Sequence, residues 1–335
     1  MKKIMLFGIA IVVGILFVTC EQEKDDEKKN VGKVFIVGMD TDEQGYPQAT
    51  LWIDGQKQYL TNGGGSACAY SIYVTESNDV YVAGRDGNDM ILWKNGIKDK
   101  TFTNIFGGKN YIYSMYISTT LDVYAAGMID KKATVWINGI PQDISNGYDV
   151  FGLSASSLYV TRAGEWYVAG SAAVNESTAI YWNNGNWNEL ERITRYHYGI
   201  SVYVESNDIF VAGSISNGAS SEAVLWKNKQ LFVRELGSDA NSVFVSGNNV
   251  YIAGTGRGGY PAILWMIDKE TAAAETIPID GISNATFVYV KENDVHVIGG
   301  TGPGSEPRAL YWSMSNNEVK LLSDKKSIAV NIFVR

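Results

Sequence analysis

Apolar residues in this chain fall into short runs rich in β-branched and aromatic side chains, each stopped by a glycine or a polar turn. The clearest are VFIVG (34–38), VYVAG (80–84), VYAAG (123–127), WYVAG (166–170), IFVAG (209–213), VYIAG (250–254) and VHVIG (295–299). Such runs predict β-strands, and helical periodicity is absent through the body of the chain. From the second run onward, an aromatic–β-branched pair stands ten or eleven residues ahead of the glycine: Tyr73-Val74, Tyr116-Ile117, Tyr159-Val160, Tyr203-Val204, Phe244-Val245 and Tyr289-Val290. The two runs predict a hairpin, closed by turns such as Glu76-Ser77-Asn78-Asp79 and Glu205-Ser206-Asn207-Asp208. A third run ends at Trp52, Trp93, Trp136, Trp182, Trp226, Trp265 or Trp312, with Ala three residues earlier except where Met90 stands. Asp54-Gly55, Asn95-Gly96, Asn138-Gly139 and Asn184-Gly185 are type I′ turn signals leading to a fourth, weakly patterned edge strand.

The repeat has a fixed length. Gly38, Gly84, Gly127, Gly170, Gly213, Gly254 and Gly299 are spaced 46, 43, 43, 43, 41 and 45 residues apart. A period near 43 with four short strands per unit predicts an all-β fold, a β-propeller of four-stranded antiparallel blades. The first unit enters at its second strand, Val34-Phe35-Ile36-Val37-Gly38, and lacks a first. Asn331-Ile332-Phe333-Val334 near the C-terminus matches Ser71-Ile72-Tyr73-Val74 and has no second strand after it. The last strand is therefore expected to pair in the first blade and close a ring of seven.

Residues 1–19 stand apart. Lys2 and Lys3 precede an apolar stretch from Ile4 to Val18, followed by Thr19 and Cys20. Fifteen apolar positions suit a secretory signal better than a membrane span. The segment resembles a bacterial lipoprotein signal, which implies lipidation of Cys20 and a membrane anchor. Residues 20–33 include the charged tract Glu21-Gln22-Glu23-Lys24-Asp25-Asp26-Glu27-Lys28-Lys29, with the composition of a solvated tether. That tract is similar to the export tag of surface lipoproteins in the Bacteroidetes. Together with the propeller repeat over 34–335, it implies a lipid-anchored outer-membrane protein exposed at the cell surface, with a periplasm-facing anchor as the alternative. The repeat does not match WD, kelch or sialidase Asp-box signatures, so no family activity follows from it.

Composition narrows the chemistry. A formal net charge of −8 and no basic run in the body argue against nucleic acid. With Cys20 lipidated, Cys68 is left without a disulfide partner, and His197 and His296 are the only histidines, so no metal is expected. The glycine-rich stretches NGGGS and TGRGGYP precede no helix, so no nucleotide or other cofactor is expected. The recurring tryptophans and strand aromatics read as blade packing, because a binding platform is needed once and these occur in every unit. His296 falls in an aromatic packing slot. Ser71, Ser114, Ser157, Ser201 and Ser242 recur at the start of the first strand and read as hydrogen-bonding groups, since five equivalent nucleophiles cannot share two histidines.

Function is then sought where the repetition stops. The short turns joining strands one to two and three to four share one face, and the variable loops share the other. Side chains there that break the symmetry are Tyr46, Arg85, Asp86, Asp89, Lys109, Tyr111, Tyr148, Asp149, Arg195, Tyr196, His197, Tyr198, Arg257 and Tyr260. Tyr and Arg are favoured in binding hot spots. RYHY (195–198) is the densest of these clusters and the leading candidate. The sequence reading is a surface-anchored, non-catalytic propeller binding a glycan or protein ligand. A carbohydrate-active enzyme (polysaccharide lyase or glycoside hydrolase) and a structural subunit of an outer-membrane complex are the alternatives.

Overall fold

The computed structural model describes residues 32–335, apart from 64, 88, 103–109, 148–154, 174–175, 235–236, 238, 257–260 and 303–305. Chain contacts separate Met1–Gly32 from Lys33–Arg335, and the second unit is the ring. It holds seven four-stranded antiparallel sheets, the seven-bladed propeller expected from the repeat. Blade 1 combines Ser327–Val334 with Val34–Thr41, Pro47–Ile53 and Gln56–Tyr59, in that order. Blades 2 to 7 each take four consecutive strands. Their innermost strands are Ala67–Val74, Asn110–Ile117, Ala155–Val160, Tyr196–Glu205, Asp239–Ser246 and Asn284–Lys291. The innermost strands pack against one another around the ring, Ser327–Val334 against both Asn284–Lys291 and Ala67–Val74, and together they wall a central channel.

The turn residues fix which face is which. Asn95, Asn138 and Asn184 adopt positive φ in two-residue turns, followed by a glycine that does the same. The Asn95 side chain accepts the N–H of Val80 at 2.8 Å and donates to Asp79 at 2.9 Å, at the start of the second strand. Asn138 makes the same pair of bonds with Val123 and Asp122, and Asn228 with Ile209 and Asp208. The turns joining strands one to two and three to four are thereby tied to each other, which defines a turn face. The longer connections occupy the opposite, loop face.

Seven apolar clusters hold the ring, one at each blade junction. The tryptophan of every third strand is buried in them. At the closing junction, Val34, Ile36, Trp52, Ile332 and Val334 of blade 1 pack on Ile298, Tyr311 and Leu322 of blade 7. The Trp52 indole donates to the Leu322 carbonyl at 3.1 Å across that junction.

Every innermost strand carries a one-residue bulge where it pairs with the second strand. The extra residues are Val330, Tyr70, Tyr113, Ser156, Ile200, Asn241 and Thr286. Beside the bulge the two backbones pass close, which explains the repeated glycine. A Cβ built on Gly213 lies 1.9 Å from the Tyr198 carbonyl oxygen, and one on Gly254 lies 2.0 Å from that of Asp239. The repeated serines follow the bulge and link the blades. Ser114 Oγ accepts the N–H of Leu158 in the next blade, Ser157 that of Val202, Ser201 that of Val243, and Ser242 that of Val288, at 3.1–3.4 Å. These serines are structural hydrogen-bonding groups.

Because Ser327–Val334 is the inner wall of blade 1, removing Ser327 to Arg335 uncovers Val34, Ile36 and the Gly38 backbone. Thermal melting of that truncation is expected well below that of the full chain, with loss of a single cooperative transition. An unchanged melting curve contradicts closure by this strand.

Candidate functional site

The strand-one aromatics pack against the clusters at the blade junctions, as the repeat leads one to expect, and they have a second role. Tyr73, Tyr116, Tyr159, Tyr203, Phe244, Tyr289 and Phe333 are all half-buried and meet around the channel next to the turn face. Ring centroids lie 4.7 Å apart for Tyr159–Tyr203, 4.9 Å for Tyr203–Phe244, 5.1 Å for Phe244–Tyr289, 5.5 Å for Tyr289–Phe333 and 6.1 Å for Tyr73–Phe333. Seven rings at that spacing lie on a circle of about 6 Å radius, so they form a collar that narrows the channel. Burial, reinforced by the neighbouring phenols, pushes Tyr116 up to about 12 and Tyr203 upward as well. The hydroxyls of Tyr116, Tyr159, Tyr203 and Tyr289, all pushed upward by burial, are thus neutral at physiological pH.

Above the collar, toward the loop face, the bulge resets which side chains look inward. Alternation would bury every second residue. The extra residue instead adds a second tier of half-buried or exposed positions: Tyr70, Tyr113, Ser156, Ile200, Asn241, Thr286 and Val330. Five residues before the collar aromatic comes a third tier, which includes Cys68, Tyr198, Asp239, Asn284 and Ile328. The channel is therefore a funnel with a polar, tyrosine-bearing upper wall and an aromatic floor. Asn241 Nδ2 bonds Asn284 Oδ1 at 2.9 Å and the Ala285 carbonyl at 2.8 Å, joining blades 6 and 7 within that wall.

Arg85 and Asp239 in the upper wall have no ion-pair partner among the described residues. Asp239 is half-buried, and burial alone pushes its carboxyl above the ordinary value. Arg85, on the second strand of blade 2, donates to Ser66 Oγ at 3.1 Å. Its Nε is buried with no partner. Burial also pushes the Cys68 thiol up to about 12, so it is a protonated, unreactive thiol.

The other sequence candidates divide. Tyr46, 52% exposed, lies on the loop face of blade 1, where its N–H is held by Asp42. Asp86 and Asp89 face each other across the second-to-third-strand turn of blade 2. Arg195 ion-pairs with Glu176 at 3.3 Å and lies 5.6 Å from the Tyr196 ring, and Arg192 bonds the other oxygen of Glu176. This cluster sits on the loop face between blades 4 and 5. Cys20, Lys109, Tyr148, Asp149, Arg257 and Tyr260 lie outside the described residues, as does the side chain of Tyr111.

His197 is a correction to the sequence reading. It is 1% exposed, and its Nε2 accepts the N–H groups of Ile193 at 2.8 Å and Thr194 at 2.9 Å. It therefore pins the chain entering blade 5 and is closed to a surface ligand. Burial holds it below the usual histidine range, in the neutral form that can accept these bonds. Tyr196, His197 and Tyr198 belong to the extended strand Tyr196–Glu205 and not to a loop, so alternate side chains turn inward, while Arg195 stands in the bend just before it. His296 is also buried, with Nδ1 2.9 Å from the Tyr311 hydroxyl, in the packing role its position suggested.

Sequence reasoning missed Tyr70, Tyr113, Asn241, Asp239 and Asn284. One signal was present: these positions, three and five before the repeated aromatic, change from blade to blade while the Ser and the aliphatic residues beside them recur.

No family model matches the sequence, and neither does any curated protein. Among solved structures, a puromycin hydrolase is similar over 88% of this chain and 52% of its own, with a TM-score of 0.60 at 8% identity. A puromycin-hydrolyzing peptidase of Mycobacterium tuberculosis gives a TM-score of 0.58 at 12% identity, covering 87% of this chain and 52% of that one. A prolyl endopeptidase gives 0.50 at 13%, covering 91% and 50%. The chain spans about half the length of these proteins, and at such identities the likeness is one of fold. It nevertheless overturns the sequence-based expectation of a non-catalytic glycan or protein binder. The architecture is one found within peptidases, so the ring gives no support to a role apart from catalysis. The carbohydrate-enzyme and membrane-scaffold alternatives are set aside with it.

His197→Ala leaves two buried N–H groups without an acceptor and is expected to cost about 2–4 kcal/mol in urea unfolding. The pH dependence has a defined sign. The folded-state pKa lies below 6.5, so the unfolded chain binds the proton more readily. The contribution of His197 is full above pH 6.5 and declines as pH falls toward and through the folded value. The loss between pH 8 and pH 5 should shrink in His197→Ala, and an equal loss in both proteins counts against this assignment.

Proposed function

We propose that the ring handles the substrate of a peptide-hydrolysing reaction, holding a short peptide or peptide-like amide in the loop-side funnel. The observation that carries this reading is the shape and chemistry of the channel. An aromatic collar narrows it at the turn face, so a ligand enters from the loop face and is stopped above the phenols. The upper wall offers amide and hydroxyl groups from Asn241, Thr286 and Asn284 that suit peptide bonds, and tyrosines that suit side chains. The likeness to puromycin-hydrolysing and prolyl peptidases supports the class of bond. His197 and His296 are both engaged in packing, so the reading assigns the ring to substrate capture and selection.

In the same reading the protein is lipidated at Cys20 and held at the outer membrane by the tether over residues 20–33. Incorporation of labelled palmitate in cells should vanish in Cys20→Ser, and persistence of label in that variant sinks the anchor.

Ile200→Trp places a bulky ring in the second tier without removing a hydrogen bond. Fluorescence anisotropy should show tetrapeptides binding to the wild-type protein in preference to oligosaccharides. The substitution should weaken that binding at least about tenfold with little change in melting temperature. Peptide hydrolysis by the cell envelope should slow in cells carrying the variant. Better binding of oligosaccharides, or hydrolysis indifferent to the variant, overturns the proposal.

A further inference from the structure

We propose that Arg85 and Asp239 form a two-ended clamp for a zwitterionic short peptide, Arg85 taking the C-terminal carboxylate and Asp239 the N-terminal ammonium. The inference rests on the peptide-handling reading above and names what the same funnel recognises.

Register puts the two groups at one height. Arg85 pairs with Cys68, five residues before the collar residue Tyr73, and Asp239 stands five residues before the collar residue Phe244. They also stand on opposite sides of the ring. Arg85 belongs to blade 2 and Asp239 to blade 6, three blades apart in a ring of seven, or about 150° around the axis.

Several charged groups on the loop face are matched. Lys57 pairs with Asp40, Lys325 with Glu43, Arg192 and Arg195 with Glu176, and Arg234 with Glu222. Arg85 and Asp239 depart from that pattern. Among the described residues no carboxylate lies within ion-pair distance of the Arg85 guanidinium, and its hydrogen bond goes to the neutral Ser66 hydroxyl. Its buried Nε has an open donor. Asp239 has no hydrogen-bond or ion-pair partner among the described residues, and burial works against its charge. A half-buried charge without a partner is costly, and the cost is recovered when a ligand brings the opposite charge. The two are not paired with each other across the funnel, so a single ligand must bridge them.

The ligand is defined by that arrangement. Arg presents a planar fork matched to a carboxylate, and a carboxylate accepts the hydrogens of an ammonium. A free amino acid carries its two charges too close together to reach both walls. An extended peptide advances about 3.3–3.6 Å per residue, so roughly three to five residues span a funnel of this width. Between the ends, Asn241 and Asn284 on one side and the Tyr70 and Tyr113 phenols on the other are neutral and suit backbone amides.

Calorimetry with tetra-alanine in four forms tests the clamp: free at both ends, N-acetylated, C-amidated and doubly capped. In the wild-type protein each cap should weaken binding about 10- to 100-fold. Asp239→Asn should erase the effect of acetylation alone, and Arg85→Met the effect of amidation alone. The doubly capped peptide should bind all three proteins alike, which also shows that the variants are folded. If the peptides bind wild-type protein but the caps make no difference, the clamp is overturned and peptide handling stands. If no form binds, peptide handling falls and the clamp with it.

Discussion

A four-stranded blade cannot bury either of its apolar faces alone, and that constraint governs the whole molecule. Each face must meet another blade, so burial is complete only when the set of blades closes on itself. The seven clusters, one per junction and including the one between blades 7 and 1, are the outcome. The repeated tryptophan, the aromatic at the second strand and the glycine beside it are what each junction needs. Their repetition reflects packing and carries no information about a ligand.

The same junctions decide the shape of the channel. Close packing draws the innermost strands inward, and the one-residue bulge lets each of them bend there without losing its pairing farther along. The bulge leaves main-chain N–H groups facing the neighbouring blade, and serines such as Ser201 accept them. Packing, bulge and serine are thus one device, and the funnel wall is the surface it leaves over. This is why the variable side chains of the wall sit on a rigid scaffold and need no long loop to position them.

Much of this was legible in the sequence, for physical reasons that can be named. Glycine at a fixed spacing marks a backbone approach that tolerates no Cβ, and Asn-Gly pairs mark turns that need positive φ, so strand number, order and faces followed. His197 is misread because RYHY looks like a polar loop, whereas the innermost strand of blade 5 begins at Tyr196, three residues earlier than a loop over 195–198 allows. Asp239 and Asn241 were overlooked because a bulge shifts the alternation between inward and outward positions and leaves no mark in a hydrophobic pattern. The collar reads as packing alone for a related reason. An aromatic at an innermost strand satisfies both roles, and only its neighbours across the channel distinguish them.

Blade 1 is the one sheet assembled from distant parts of the chain, its inner strand arriving 286 residues after its second strand ends. Every other blade pairs residues within a few dozen positions and can form as the chain emerges. Blade 1 cannot, and its loop-closure entropy is the largest in the fold. Ring closure is therefore the slow, late step of folding, and until it occurs the innermost edge of Val34–Thr41 and the outward face of blade 7 stay uncovered. The open ring is the form in which the chain is most exposed to aggregation and proteolysis. The arrival of its last strand marks the end of that exposure.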